Sequence, residues 1–252
     1  MNIAAQMYTL REYTKNPRDI ARTLKKVSGL GYRTVQLSGL GPIDTRELKK
    51  ILDGEGLKAS STHTPFARIK DEPGAVVEEH GILDCQYLAV PGMPEEFRGS
   101  AQGCKTFAVQ MVEAAQNIRE NGIDVSYHNH SYELEQYEGK TVLETLFDSM
   151  PAGTVNAEID TYWIQHGGGD VAGWISRMKD RVPLVHLKDM AVARGEPIMA
   201  EVGEGNLNWE MILSACKSSG VVSYIVEQDY CQRDPFESLG ISLRNLRQML
   251  SQ

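Results

Sequence analysis

Eight short apolar runs recur along the chain, at residues 3–8, 34–37, 57–63, 87–90, 123–128, 155–160, 182–187 and 221–226. A segment with helical spacing of apolar residues follows each run. After the fourth run, Phe107, Met111, Ala114 and Ile118 stand at i, i+4, i+7 and i+11, one face of a helix. After the eighth, Phe236, Leu239, Leu243, Leu246 and Leu250 form one stripe. Stop and start signals fall between them. Asn16 and Pro17 suit a helix N-terminus, and Gly29 and Gly31 suit its end. Strands alternating with helices imply parallel pairing through crossover helices. Eight such units in 252 residues fit a single closed (β/α)8 barrel, an α/β TIM barrel spanning 1–252. An open doubly wound sheet would call for a glycine-rich phosphate turn after the first strand. The turn here reads Tyr8-Thr9-Leu10-Arg11-Glu12, without glycine.

Composition narrows the functional classes. With 26 Lys and Arg against 34 Asp and Glu, the net charge of -8 argues against binding to a nucleic-acid backbone. No run approaches the ~20 apolar residues of a membrane helix. Residues 1–6 lack the basic and apolar stretches of a signal peptide. Cys85, Cys104, Cys216 and Cys231 form no CxxC pair, so a cytoplasmic chain with free thiols is expected.

In barrel enzymes the site forms at the C-terminal ends of the strands. Polar residues cluster where the apolar runs stop. Strand one ends near Gln6 and Tyr8, strand two after Gln36, and strand three at His63. Strand five ends in Tyr127-His128-Asn129-His130, and strand six in Glu158-Ile159-Asp160. Strand seven ends in His186-Leu187-Lys188-Asp189, and strand eight in Glu227-Gln228-Asp229. Side chains alternate faces along a strand, so each x-n-x pair shares a side. Strands five to eight therefore offer imidazole, carboxylate, imidazole and carboxylate at one rim. Such charges are costly to bury without a counter-charge, and a divalent cation supplies one. The mixed N/O set suits Mn, Zn, Co, Fe or Mg better than a calcium cage. Taken singly, these residues have simpler readings. His80 and His166 are read as surface or hydrogen-bonded histidines, and Lys188 has Asp189 as an adjacent partner.

The set resembles the xylose isomerase-like barrel superfamily, which includes sugar isomerases and epimerases, inosose dehydratase, hydroxypyruvate isomerase and endonuclease IV. The resemblance runs over nearly the whole chain. It is carried by Tyr127-His128-Asn129-His130, Glu158-Ile159-Asp160-Thr161-Tyr162-Trp163, Val185-His186-Leu187-Lys188-Asp189, Gly203-Glu204-Gly205 through Trp209, and Val226-Glu227-Gln228-Asp229. It implies that Asp160, His186 and Glu227 hold a metal ion, with Glu227 also moving a proton. The epimerases place another glutamate at the end of strand five, where this chain has His128. His128, His130 or Glu158 then completes the site.

The resemblance implies a metal-dependent sugar or keto-sugar isomerase or epimerase acting by proton abstraction next to a carbonyl. Glu227 and Glu158 are the candidate bases, His128 a proton carrier and Lys188 an oxyanion or phosphate partner. Tyr8, His63, His130 and Trp163 are candidate contacts for a sugar or polyol, and Arg11 for an anionic group. An inosose or keto-sugar dehydratase on the same scaffold is the alternative. An endonuclease IV-like nuclease and a non-catalytic sugar-binding barrel are weaker readings. A homo-oligomer is compatible with the last helix packing on a partner.

Overall fold

The computed structural model describes residues 2–251. Its eight barrel strands are Asn2–Gln6, Thr34–Leu37, Lys58–His63, Tyr87–Val90, Asp124–His128, Asn156–Asp160, Leu184–Leu187 and Ser223–Val226. Each pairs in parallel with its sequence neighbours, and the first pairs with the last, so the sheet closes. The (β/α)8 expectation therefore holds. Every expected apolar run overlaps one barrel strand.

Alternation along the strands produces two cores. Outward-facing Ala5, Val35, Leu88, Val125, Ile159, Val185 and Val226 join the large cluster under the surrounding helices. Inward-facing Ala4, Leu184 and Ile225, with Tyr87 packed against them, plug the barrel floor. Above that floor the interior turns polar. Gln6, Gln36, Glu158 and His186 are all fully buried there. A TIM-barrel interior is ordinarily filled by branched apolar residues, so a polar upper layer marks the functional end.

Local sequence explains the helix boundaries. Asn16 caps helix Pro17–Gly29 by accepting from the Asp19 N–H. Thr141 and Glu144 form a reciprocal capping box at Val142–Ser149. The helical pattern at residues 75–83 is a helix over Pro73–Leu83.

Several features were not expected, among them these three. Strand one ends at Gln6, and Met7–Tyr13 turns into a 3-10 helix because Gln6 accepts from the Tyr8 N–H. A short helix, Phe66–Asp71, follows strand three. A hairpin of Asp189–Ala193 and Glu196–Ala200 rises from strand seven before its helix.

Candidate active site

Register brings the chemistry together. His128 pairs with Glu158 across strands five and six, and Asp160 with His186 across strands six and seven. Two connected clusters result, and His186 belongs to both.

The inner cluster centres on Glu158, which has no exposed surface. Its Oε2 lies 2.6 Å from His63 Nε2 and 3.2 Å from both His128 Nδ1 and His186 Nε2. Its Oε1 accepts from Gln36 Nε2 at 2.6 Å. Burial pushes the Glu158 pKa up, but the His186 and His63 imidazoles outweigh it and hold it well below the usual carboxylate range.

The outer cluster faces the barrel mouth. His186 Nδ1 is 2.8 Å from Glu227 Oε2 and 3.7 Å from Asp160 Oδ2. Lys188 does not pair with Asp189. Its ammonium lies 2.9 Å from Asp160 Oδ2, 2.7 Å from Glu227 Oε2 and 2.7 Å from Asp229 Oδ2. Burial lowers the Lys188 pKa, but Asp160, Glu227 and Asp229 reverse that and hold it well above the ordinary lysine value. An amine so held is a fixed cation, not a nucleophile. Glu227 is pushed up by burial but held well below the usual range by Lys188 and His186. Burial raises Asp160 to about 6, against the pull of Lys188 and His186. Burial would lower His186, yet Glu158 and Glu227 raise it to about 10. Burial, together with the neighbouring His186, keeps His128 well below its ordinary value, so it stays neutral.

The remaining expected contacts ring this centre. The His130 ring lies 5.0 Å from His128 and 5.7 Å from Trp163, centroid to centroid. Burial and then Lys188 lower His130 to about 4. The Trp163 ring lies 5.6 Å from Lys188 Nζ, and its buried Nε1 has no hydrogen-bond partner. Tyr8 is partly exposed, with Arg11 4.4 Å over its ring. Arg11 itself donates to the Tyr8 and Asp229 carbonyls, so it is committed to the rim. His63 bonds Glu158 through Nε2 and keeps some exposed surface. His80 is a core residue bonded to Thr62 and Val76, and His166 stacks on Tyr162.

Sequence reasoning missed the roles of four buried residues. Asp189 turns away from the barrel mouth and accepts from the N–H groups of Met190, Gly203, Gly205 and Leu207 and from Trp209 Nε1. Glu133, fully buried, accepts from Tyr127 Oη and the His130 N–H. Gln6 and Gln36 were visible as strand ends, but their role depends on cross-barrel partners that no local pattern encodes.

Asp160, His186 and Glu227 offer ligating atoms within 4.8 Å of one another, as do His63, His128, Glu158 and His186. Asp160 Oδ2 is buried with no hydrogen-bond partner, and Lys188 is the nearest of the basic groups around it. This donor set fits a divalent ion, provided Lys188 withdraws onto Asp229.

The comparisons agree with this architecture. A sugar phosphate isomerase/epimerase from Parabacteroides distasonis superposes with a TM-score of 0.84 at 22% identity, covering 98% of this chain and 93% of that one. A D-allulose 3-epimerase from Methylomonas sp. gives 0.74 at 15%, covering 99% and 98%. A probable 3-DHS dehydratase from Bacillus anthracis gives 0.75 at 12%, covering 98% and 99%. At these identities the likeness is one of fold. No protein of curated function matches in sequence. The sequence itself matches the xylose isomerase-like TIM barrel family over residues 24–249, and the chain belongs to that family.

Proposed function

We propose that the chain is a divalent-metal-dependent sugar or keto-sugar isomerase or epimerase that removes a proton next to a carbonyl. The observation that carries this reading is the convergence of Asp160, His186 and Glu227 at the barrel mouth, with the Asp160 Oδ2 atom buried and lacking a hydrogen bond. These three residues would hold the ion, and His128 stands nearest as a fourth, its Nε2 3.8 Å from Asp160 Oδ2. Bound there, Mn, Zn, Co, Fe or Mg supplies Lewis-acid polarisation of the substrate's carbonyl and neighbouring hydroxyl.

Glu227 is the base. It is ionised, and its carboxylate faces the mouth, whereas Glu158 is saturated by imidazole and amide donors below it. Glu158 therefore orients His63, His128 and His186 rather than taking a proton from substrate. Lys188, kept by Asp229, presents a permanent positive charge to an oxyanion developing at the carbonyl. If the ion takes only the three ligands, His128, neutral and next to Asp160, can carry the proton onward. Trp163, His130 and Tyr8 wall the space for a polyol. Return of the proton to the opposite face gives an epimer, and return to the adjacent carbon gives an isomer.

Elimination is the second reading, favoured by His128 in place of the epimerases' strand-five glutamate. An imidazole there that takes up the proton removed from the carbon becomes imidazolium and can hand that proton to a departing hydroxyl. Incubating metal-replete protein with a panel of keto-sugars in deuterated water tests both. Deuterium at the carbon next to the carbonyl with no loss of water supports isomerisation or epimerisation. Water loss supports the dehydratase. No exchange, no epimer or isomer and no elimination across the panel refutes carbonyl-adjacent proton abstraction.

A further inference from the structure

Gln6 and Gln36 lie side by side in register on strands one and two, both fully buried inside the barrel. Neither is used in the chemistry above, yet both ends of this amide pair are pinned by partners of fixed hydrogen-bonding sense. Gln6 Oε1 accepts from the Tyr8 backbone N–H at 3.2 Å, so its amide nitrogen faces Gln36 and donates to Gln36 Oε1. At the far end, Gln36 faces Glu158 Oε1 at 2.6 Å. An ionised carboxylate only accepts, so the Gln36 end that meets it is the amide nitrogen. The two requirements agree and leave Gln36 Oε1 as the acceptor. His186 Nε2 lies 2.6 Å from that oxygen and must therefore carry its hydrogen.

The other ring nitrogen, Nδ1, then points at Glu227 and Asp160. We propose that Gln36, set by Gln6, is a positioning residue whose side-chain carbonyl holds the His186 Nε2–H and so delivers the Nδ1 lone pair to a metal ion. The inference rests on the functional reading, in which His186 is a ligand. Metal-bound histidines generally donate their second ring N–H to an acceptor that fixes tautomer and orientation, and loss of that acceptor costs 10- to 100-fold in metal affinity. Glu158 Oε2 stands 3.2 Å from the same nitrogen, but the nearer acceptor, at 2.6 Å, is an amide fixed by a second amide. It orients the ring without adding another negative charge to a mouth that already holds several carboxylates.

The test uses Zn2+ as the probe, with affinity measured by chelator competition and ring protonation read from nitrogen-proton correlation spectra of the histidines. The wild-type zinc-bound protein should show His186 protonated at Nε2. Gln36→Leu should weaken Zn2+ binding about 10- to 100-fold. Gln6→Leu, which leaves Gln36 in place but free to rotate, should weaken it less, and serves if Gln36→Leu fails to fold. Zinc-bound wild type protonated at Nδ1 overturns the proposal. So does Zn2+ affinity within twofold of wild type in whichever of the two variants folds. Asp160→Asn separates this outcome from failure of the functional reading. Zn2+ binding lost in Asp160→Asn but unchanged in the Gln36 and Gln6 variants sinks the amide relay alone. Binding unchanged in all of them, Asp160→Asn included, sinks the metal site itself.

Discussion

Lys188 is the residue that most shapes the chemistry of the mouth, because its ammonium stands where a cation bound by Asp160 and Glu227 would feel it. Like charges at such separations repel strongly in a buried site. Lys188→Met should therefore tighten Zn2+ binding at least about tenfold, equivalent to about 1.4 kcal/mol. It should also lower kcat about 100-fold or more through loss of oxyanion stabilisation. Tight binding with unchanged kcat would remove Lys188 from the mechanism. His186→Ala and Asp160→Ala should abolish metal content while circular dichroism remains that of the wild type, and undiminished metal in both would refute the ligand assignment. Proton competition gives a further check. The His186 pKa, raised to about 10, means the ring is protonated throughout the neutral range. A metal ion must displace the Nδ1 proton, so affinity falls about tenfold per pH unit as pH drops below about 10. Below about 6 the Asp160 carboxyl binds a second competing proton and the slope steepens. Chelator competition from pH 9 to 5 reads this directly, and a flat profile would exclude imidazole ligation.

At the scale of elements, the loop after strand seven illustrates what one buried carboxylate organises. Asp189 collects four backbone N–H groups and the Trp209 indole N–H, tying the segment from Gly203 to Trp209 against the end of strand seven. Gly205 is required there because a Cβ would overlap the Asp189 carboxylate. Asp189→Ala leaves those donors without an acceptor. At roughly 1–3 kcal/mol for each buried group left unsatisfied, a loss of at least about 3 kcal/mol is expected, measured by urea unfolding. A change under 1 kcal/mol would show that the loop is held otherwise. The strands themselves were legible because period-two alternation and β-rich composition are local signals. The hairpin beginning at Asp189 was not, because its two arms pair with each other over the barrel rim and bury little apolar surface.

For the whole molecule, pH-dependent stability has an identifiable source away from the mouth. Burial raises the Glu133 pKa from 4.5 to about 7, against the hydrogen bonds from Tyr127 and His130. A carboxyl whose pKa is higher folded than unfolded favours the folded state while both are protonated. That contribution is complete below about 4.5, falls as pH rises, and is gone above about 7. The shift corresponds to about 3 kcal/mol at 1.36 kcal/mol per unit. Glu133→Gln, neutral at every pH, should melt higher than the wild type at pH 8 and should flatten the stability profile between pH 5 and 8. An unchanged profile would mean that Glu133 ionises freely in the fold. No helix among the described residues is long and apolar enough to cross a membrane.

The sequence by itself determined the number, type and order of the barrel units, the strand ends at which polar groups gather, and the family resemblance carried by His128, Asp160, His186 and Glu227. All of these follow from periodicity and from residue type at strand termini, which are properties of short segments. The tertiary structure decided which of those groups meet. Lys188 goes to Asp160, Glu227 and Asp229 instead of Asp189, Glu158 is enclosed by imidazoles, and Gln36 faces His186 across the barrel. These choices depend on strand register and on closure of the sheet, which bring side chains about 150 residues apart to within hydrogen-bonding distance. No local pattern records that encounter, because its energy exists only once the barrel is shut.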